Sequence, residues 1–388
     1  MNETDQVEPE PNPTVETPGT QAGFLRRHRA GVIIGCATAL ALVIAGSGIA
    51  VGAGIGRQLA ADAANRQQPF QPSFYQAQAT SAVPATAAQQ VGVVTVLTTL
   101  DYEADARAAG TGMVLTSSGE ILTNNHVIQG ATTIHVTVES TGVNYQADVV
   151  GSDTVDDIAV LQLVDSSGAK VTGLTPAKLD SSAVVAVGDG VTAIGNAGGT
   201  GDLVAAEGKV AATDKSVTVQ SDATGQPESL TGLIRVSADV VPGDSGGPLL
   251  DARGEAIGMV TAASSGARNV TGFAITIGSA LTVAHQIESG VASGNVRIGL
   301  PAFLGVNLDT KSTGTTILGP VDGSAAASAG LVAGDTITSV DGTAVTTGDQ
   351  LSAAIAAHAV GDQVTIGYTD SSGAEQSVGV TLGEGPAA

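Results

Sequence analysis

Residues 242–250 read PGDSGGPLL. A serine between an aspartate and two glycines marks either a tight turn with no chemistry or a nucleophile presented on a sharp bend. A serine hydroxyl is a weak nucleophile at neutral pH. It needs a general base within hydrogen-bond reach, and that base needs a third group to orient it. The rest of the chain therefore decides what Ser245 is.

The chain has five histidines. His28 precedes a long apolar run, and His358 falls in a late helical pattern. His135, in TIHVTVES, alternates with apolar neighbours and is expected on the exposed face of a strand. His285 lies in a helical pattern over residues 277–288. His126 differs, because ILTNNHVI places it just after a strand, at a turn from which a side chain can enter a cleft. A third group is offered by DDIAVLQLV, where an acid opens an apolar strand. A carboxylate at that edge is partly buried and needs a donor, which an imidazole N–H supplies. Asp157 and its neighbour Asp156 both stand there.

Taken in order, TNNHVI, DIAVL and GDSGGPL resemble the trypsin-like serine proteases of the HtrA (DegP) type. The resemblance covers about 290 residues once the C-terminal region is included. It implies two perpendicular six-stranded β-barrels with the site in the cleft between them. It also implies Ser245 as nucleophile, His126 as base and then acid, and Asp157, immediately before the x-Ala-Val run, as orienter. The N–H groups of Gly243 and Ser245 are then expected to face the developing oxyanion, and a Cβ at residue 243 would hinder that turn.

Two positions depart from the HtrA pattern. Asp244 stands where that type more often has Asn; digestive relatives use an Asp there to hold a new N-terminus, but zymogen activation is not expected here. Asp239, six residues before the serine, falls where the trypsin-like pattern places an acid selecting basic side chains. A preference for Lys or Arg is one reading of Asp239, and an exposed loop acid is the other.

The second β-rich unit contains AFLGVNL (302–308) and GLVAGDTITSVDGTAV (330–345). These resemble the carboxylate-binding loop of a PDZ domain and the segment that follows it in the HtrA-type version. Leu304, Gly305 and Val306 would present N–H groups to a peptide's terminal carboxylate while the peptide adds a strand, and Ile355 would line its side-chain pocket. Thr346 and Asp349 suggest a capping-box-like start to the helix carrying Leu351 and Ile355.

Composition bounds the remainder. With 52 glycines, no Trp and 2% aromatics, the cores must be built from Val, Ile, Leu and Ala, as short strands with many turns allow. A net charge of −22 argues against nucleic acid or anionic membrane surfaces as partners, because counterion release needs clustered Lys and Arg. The single cysteine, Cys36, excludes an intrachain disulfide. Scattered histidines give no metal site, and no cofactor is expected.

Residues 30–56 carry no charge, and as a helix they would reach ~40 Å, enough to cross a hydrocarbon core of ~30 Å. Arg26, Arg27 and Arg29 precede the run and Arg57 alone follows closely, so the N-terminus is expected in the cytoplasm and the folded part outside it, anchored to the plasma membrane. A cleaved signal peptide with Ala61-Asp62-Ala63 as its site competes with the anchor.

The expected organisation is a disordered cytoplasmic tail (1–29), a transmembrane helix (30–56), a Gln/Pro/Ala-rich linker (57–89), the protease domain (90–291) and the PDZ domain (299–384). Residues 214–229 are expected to form a long solvated or regulatory loop. The function that follows is a membrane-anchored endopeptidase of unfolded or damaged proteins, its PDZ domain binding C-terminal peptides. A homotrimer is implied by the resemblance, with Phe70, Phe74 and Tyr75 as candidate contacts. The alternative is a proteolytically silent PDZ-bearing chaperone or signalling scaffold.

Overall fold

The computed structural model describes residues 82–100, 102, 106–220, 227–263, 271–309 and 314–387. The expected tail, transmembrane helix and most of the linker, with Cys36, Phe70, Phe74 and Tyr75, lie outside the described residues. Among the described residues, no helix is long and apolar enough to cross a membrane.

The protease region runs β1 (Val83–Pro84), β2 (Val93–Leu100), β3 (Arg107–Val114), β4 (Glu120–Thr123), α1 (Asn125–Ile128), β5 (Ala131–Val138), β6 (Val143–Asp153) and β7 (Ile158–Val164). It continues with β8 (Gly190–Gly195), β9 (Val204–Gln220), β10 (Pro227–Val236), β11 (Pro248–Leu250), β12 (Ala256–Ala263), β13 (Gly272–Thr276), α2 (Ile277–Glu288) and β14 (Val296–Ile298).

Strands β6-β5-β2-β3-β4-β7 form a six-stranded ring closed by the β6–β7 pairing, with β14 added outside β6. Strands β9-β10-β13-β12-β11-β8 form a second ring closed by β8–β9, with β1 added to β9. Closure removes the exposed sheet edges that short Val/Ile-rich strands would otherwise present.

Each ring has its own apolar filling. Val94, Val96, Ile121, Val136 and Leu161 fill the first, and Val191, Val210, Ile234, Leu249 and Val260 the second. A third cluster joins them, in which Val93, Met113, Leu122 and Ile158 of the first ring meet Ile194, Leu250, Met259 and Phe273 of the second. Val283, Ala284 and Ile287 of α2 pack into the same cluster, and the helix is capped by Thr276, whose hydroxyl accepts the Ser279 N–H at 3.3 Å. This shared core fixes the two rings against each other and so fixes any site that takes residues from both.

The stretch expected as a long loop at 214–229 is mostly paired strand. Val217 lies opposite Leu230 and Thr218 opposite Ser229, continuing the β9–β10 hairpin. Val217 and Leu230 are buried, so the apolar alternation outweighs the polar composition.

The C-terminal region comprises β15 (Ala302–Phe303), β16 (Val306–Leu308), β17 (Ile317–Pro320), α3 (Ala325–Ser328), β18 (Thr336–Val340), β19 (Thr343–Ala344), α4 (Gly348–Ala356), β20 (Gln363–Thr369), β21 (Glu375–Thr381) and β22 (Gly383–Glu384). Its core contains Leu304, Ile317, Ile337, Leu351, Ile355 and Ile366. The cap of α4 lies one residue later than the sequence suggests. Thr347, not Thr346, accepts the Gln350 N–H at 3.2 Å, while Gln350 Oε1 accepts the Thr346 N–H at 2.8 Å. The longer Gln amide reaches back where Asp349 cannot.

The end of the described chain returns to the first barrel. The Gly130 N–H donates to Ala387 O at 2.7 Å, the Ala387 N–H donates to Ala131 O at 2.9 Å, and the Ala387 side chain is buried in that barrel's core. Tyr102 also stacks on Phe303, ring centres 5.7 Å apart.

Candidate active site

The first barrel supplies two of the three candidate residues. His126 stands on α1, the single turn that follows β4, and Asp157 immediately precedes β7. Since β4 and β7 are paired, with Thr123 opposite Ala159, the two residues meet at one end of that ladder. His126 Nδ1 lies 2.8 Å from Asp157 Oδ2 and 3.0 Å from Oδ1, and the His126 backbone N–H donates to Oδ1 at 3.0 Å. The imidazole is thus held through Nδ1, and Nε2 is its other ring nitrogen.

Asp157 is held in turn from several sides. It is buried and adopts φ 55°, a left-handed conformation uncommon outside glycine. Asn124 Nδ2 donates to the Asp157 carbonyl at 2.9 Å, which secures that conformation from the N-cap of α1, the turn carrying His126. Asp156 is exposed, and its carboxyl is raised by partial burial and then by the Asp153 charge.

The second barrel supplies Ser245, on the turn before β11. The link between barrels is Thr261 on β12, a buried residue that the sequence reading did not single out. Its hydroxyl donates to Asp157 Oδ2 at 2.5 Å, and its carbonyl accepts the Ser245 hydroxyl at 3.3 Å. One residue therefore contacts both the acid and the serine. A polar side chain inside the TAA stretch of a strand was the only sequence signal for it.

The turn around Ser245 is fixed peptide by peptide. The Gly198 N–H donates to Pro242 O at 2.7 Å, the Asp244 N–H to Val241 O at 3.1 Å, and the Gly247 N–H to Asp244 O at 3.0 Å. The Gly246 N–H donates to Val260 O at 2.8 Å. The Gly243 and Ser245 N–H groups donate to no acceptor among the described residues. A trans peptide points its N–H away from its C=O. Holding the carbonyls of Pro242 and Asp244 from behind therefore turns the Gly243 and Ser245 amides to the other side.

Gly243 has φ 101°, and a Cβ there would lie 2.1 Å from Asn196 O, so both the conformation and the space require glycine. Asp244 is buried to 2% exposure. One carboxyl oxygen accepts the Val241 N–H at 2.9 Å, and the other has no hydrogen-bond partner among the described residues. Burial, with the nearby Asp239 charge adding to it, pushes this carboxyl up to about 7. Asp239 itself is half-buried.

The candidate peptide site of the C-terminal region uses a similar arrangement. Gly305 has φ 78°, and a Cβ there would meet Ser324 Cβ at 2.2 Å. The Ala326 N–H donates to Leu304 O at 2.8 Å, while Val321 N–H at 2.9 Å and Ser324 Oγ at 3.0 Å both donate to Gly305 O. The amides of Gly305 and Val306, on the opposite sides of those two peptides, point away from the domain. Strand β16 pairs with β17 on one side, and its Leu308 lies against Gly348 of α4. Ile355 is buried with Leu304 and Leu351 in the domain core.

Comparison with known proteins follows the same division. Residues 110–259 match the trypsin-like peptidase domain, and residues 302–382 match the PDZ domain. The serine protease PepD of Mycobacterium tuberculosis is 32% identical over 387 residues, covering 93% of this chain and 80% of that protein. The periplasmic serine endoprotease DegP of Escherichia coli is 32% identical over 272 residues, covering 67% of this chain and 54% of that protein. This chain thus spans about half the length of DegP. A solved serine endoprotease from Yersinia pestis is 26% identical, and the match covers 78% of this chain and 99% of that one with a TM-score of 0.43. The chain belongs to the HtrA/DegP-type serine endoproteases, in which a trypsin-like peptidase domain is followed by a PDZ domain.

Proposed function

We propose that Ser245, His126 and Asp157 form the catalytic triad of a membrane-anchored, extracytoplasmic endopeptidase acting on unfolded or damaged proteins. The observation that carries this reading is the two-point hold of Asp157 on the His126 imidazole, with Thr261 tying that acid to the serine.

Ser245 Oγ attacks the scissile carbonyl carbon as its proton passes to His126 Nε2. The carbonyl oxygen, now anionic, is received by the Gly243 and Ser245 N–H groups. The C–N bond then breaks and the leaving amine takes the proton from His126. Water, deprotonated by the same imidazole, cleaves the acyl ester and returns Ser245 with its proton. Asp157 orients the imidazole through Nδ1 and stabilises the imidazolium.

Asp239, near the nucleophile turn, is the candidate selector of Lys or Arg at the cleavage site. Cleavage-site profiling of Asp239→Ala tests it, and an unchanged preference removes the assignment. Leu304, Gly305 and Val306 capture a C-terminal carboxylate, with Ile355 at the floor of the side-chain pocket. PDZ occupancy then delivers substrate or sets activity.

The uncharged run at 30–56 is the membrane anchor, and a homotrimer held near the start of the protease domain is the assembly. Replacing Phe70, Phe74 and Tyr75 and measuring mass in solution tests that contact, an unchanged trimer counting against it.

The main test is hydrolysis of reduced casein by the full chain in detergent, beside Ser245→Ala, with and without C-terminal peptides. Cleavage by the wild type alone is expected. No cleavage by either, with peptides still bound, would favour the silent scaffold instead.

A further inference from the structure

We infer that Thr111, on β3 of the first barrel, is a positioning residue for the oxyanion-binding turn of the second. The inference rests on the reading of Ser245 as nucleophile, and it concerns a residue that contacts neither substrate nor reacting atoms. Thr111 is completely buried and makes four hydrogen bonds. Its hydroxyl donates to Gly243 O at 2.7 Å and accepts the Asn196 N–H at 2.9 Å. Its backbone N–H donates to Ser245 O at 2.8 Å, and its carbonyl accepts the Thr123 hydroxyl at 2.7 Å.

The polarity of these bonds is fixed. An amide N–H cannot accept, so the single hydroxyl hydrogen must go to Gly243 O while a lone pair receives Asn196. Both partners bear on the orientation of the Gly243 amide. The first bond holds the peptide just after Gly243. The second begins the turn in which Asn196 O accepts the Gly199 N–H at 2.8 Å and Gly198 holds Pro242 O, the carbonyl of the peptide that contains the Gly243 N–H. With the backbone bond to Ser245 O, one residue secures two carbonyls of the nucleophile turn and the start of the segment that secures a third. Because it comes from the other barrel, it also ties the aim of the amides to the barrel that carries His126 and Asp157.

Replacing the hydroxyl by a methyl keeps the volume, leaves the Asn196 N–H buried without a partner and takes from Gly243 O the donor that holds it. The peptide after Gly243 then loses its anchor, and the 196–199 turn that holds Pro242 O loses the bond at its start, so the Gly243 N–H shifts out of line, which removes transition-state stabilisation rather than substrate binding.

The test compares full-length wild type with Thr111→Val, Thr111→Ser and, as a control for losing a buried threonine hydroxyl elsewhere in the barrel, Thr98→Val. Thr98 donates to Ala108 O, away from the site. Casein hydrolysis gives kcat and KM, fluorophosphonate labelling of Ser245 gives the reactivity of the serine, and thermal midpoints report folding. Thr111→Val is expected to lose about 10- to 100-fold or more in kcat with KM within about twofold, since one oxyanion donor is worth about 10²–10³. Thr111→Ser should restore most of that loss, and Thr98→Val should keep its kcat.

The inference is overturned if Thr111→Val keeps more than half of the wild-type kcat, if only KM changes, or if Thr111→Val and Thr98→Val lose kcat alike. Should Thr111→Val not fold, Thr111→Ala carries the same expectation, and failure of both to fold would make the role structural and overturn the inference. A wild type that neither cleaves nor labels would instead overturn the triad on which it rests, a result distinct from an active wild type with an equally active Thr111→Val.

Discussion

The nucleophile turn at Gly243 and the PDZ turn at Gly305 lie in separate domains, with different folds around them, yet they share a construction. In each, a glycine with positive φ lets two peptides turn, and donors from behind hold the carbonyls of those peptides. The amides are left facing outward, toward the place where an anion is expected. The difference is in how firmly they are held. Carbonyls 242, 243, 244 and 245 all accept hydrogen bonds, and those of Gly243 and Ser245 are held by a residue of the opposite barrel. In the PDZ turn the described donors to Leu304 O and Gly305 O come from one neighbouring stretch, residues 321–326. Catalysis requires amides aimed at a charge that exists only in the transition state, whereas peptide capture needs only a complementary surface for a stable carboxylate.

Substitutions at the two glycines give the largest expected effects. Gly243→Ala forces a Cβ onto Asn196 O, and kcat should fall by about 10²–10³ while bound C-terminal peptide is unaffected. Gly305→Ala forces a Cβ onto Ser324, so peptide affinity measured by fluorescence anisotropy should fall at least about tenfold. Cleavage without added peptide should then stay near wild type. Crossed effects, with each substitution impairing the other activity equally, would break the comparison.

Asp244 gives a pH test of the same turn. Its carboxyl is pushed up to about 7 by burial, so the folded protein binds its proton more tightly than the unfolded chain does. Stability from this group is present at low pH and is lost as pH rises from about 4 to about 7, the window in which only the folded state is protonated. Asp244→Asn cannot ionise, so the decline of its thermal midpoint between pH 5 and pH 8 should be shallower than that of the wild type. Parallel curves would show that Asp244 does not titrate there.

The smallest effect is expected at Ser324, whose hydroxyl donates to Gly305 O and accepts the Ala327 N–H at 3.2 Å as the cap of α3. Ser324→Ala should cost about 1 kcal/mol of PDZ stability, the usual value of such a cap, and weaken peptide binding only a few-fold.

Much of this was legible in the sequence, for particular reasons. GDSGG shows its turn because glycine is the residue for φ near 101° beside a neighbouring carbonyl, and the strands show themselves by alternation of Val and Ile with polar residues. The helix over Ile277–Glu288 was visible from its apolar spacing. The motif points to Asp157 rather than Asp156, and it is Asp157 whose carboxylate lies 2.8 Å from His126 Nδ1.

The contacts of Thr111, Asn124 and Thr261 were not legible, because a buried threonine or asparagine looks the same in sequence whatever accepts its hydrogen bond. Their partners are 132, 33 and 104 residues away, contacts that only closure of the two barrels creates. The docking of Ala387 on Gly130 and Ala131 was hidden for the same reason. An alanine near the end of a Gly/Pro stretch carries no pattern of its own.

The most direct test of the central claim is covalent labelling of the full-length protein with a fluorophosphonate probe, read by intact mass and peptide mapping. One adduct per chain on Ser245 is expected, absent in Ser245→Ala and strongly slowed in His126→Ala and Gly243→Ala. An adduct on another serine, or none while C-terminal peptides still bind, would contradict the assignment of Ser245 as the nucleophile.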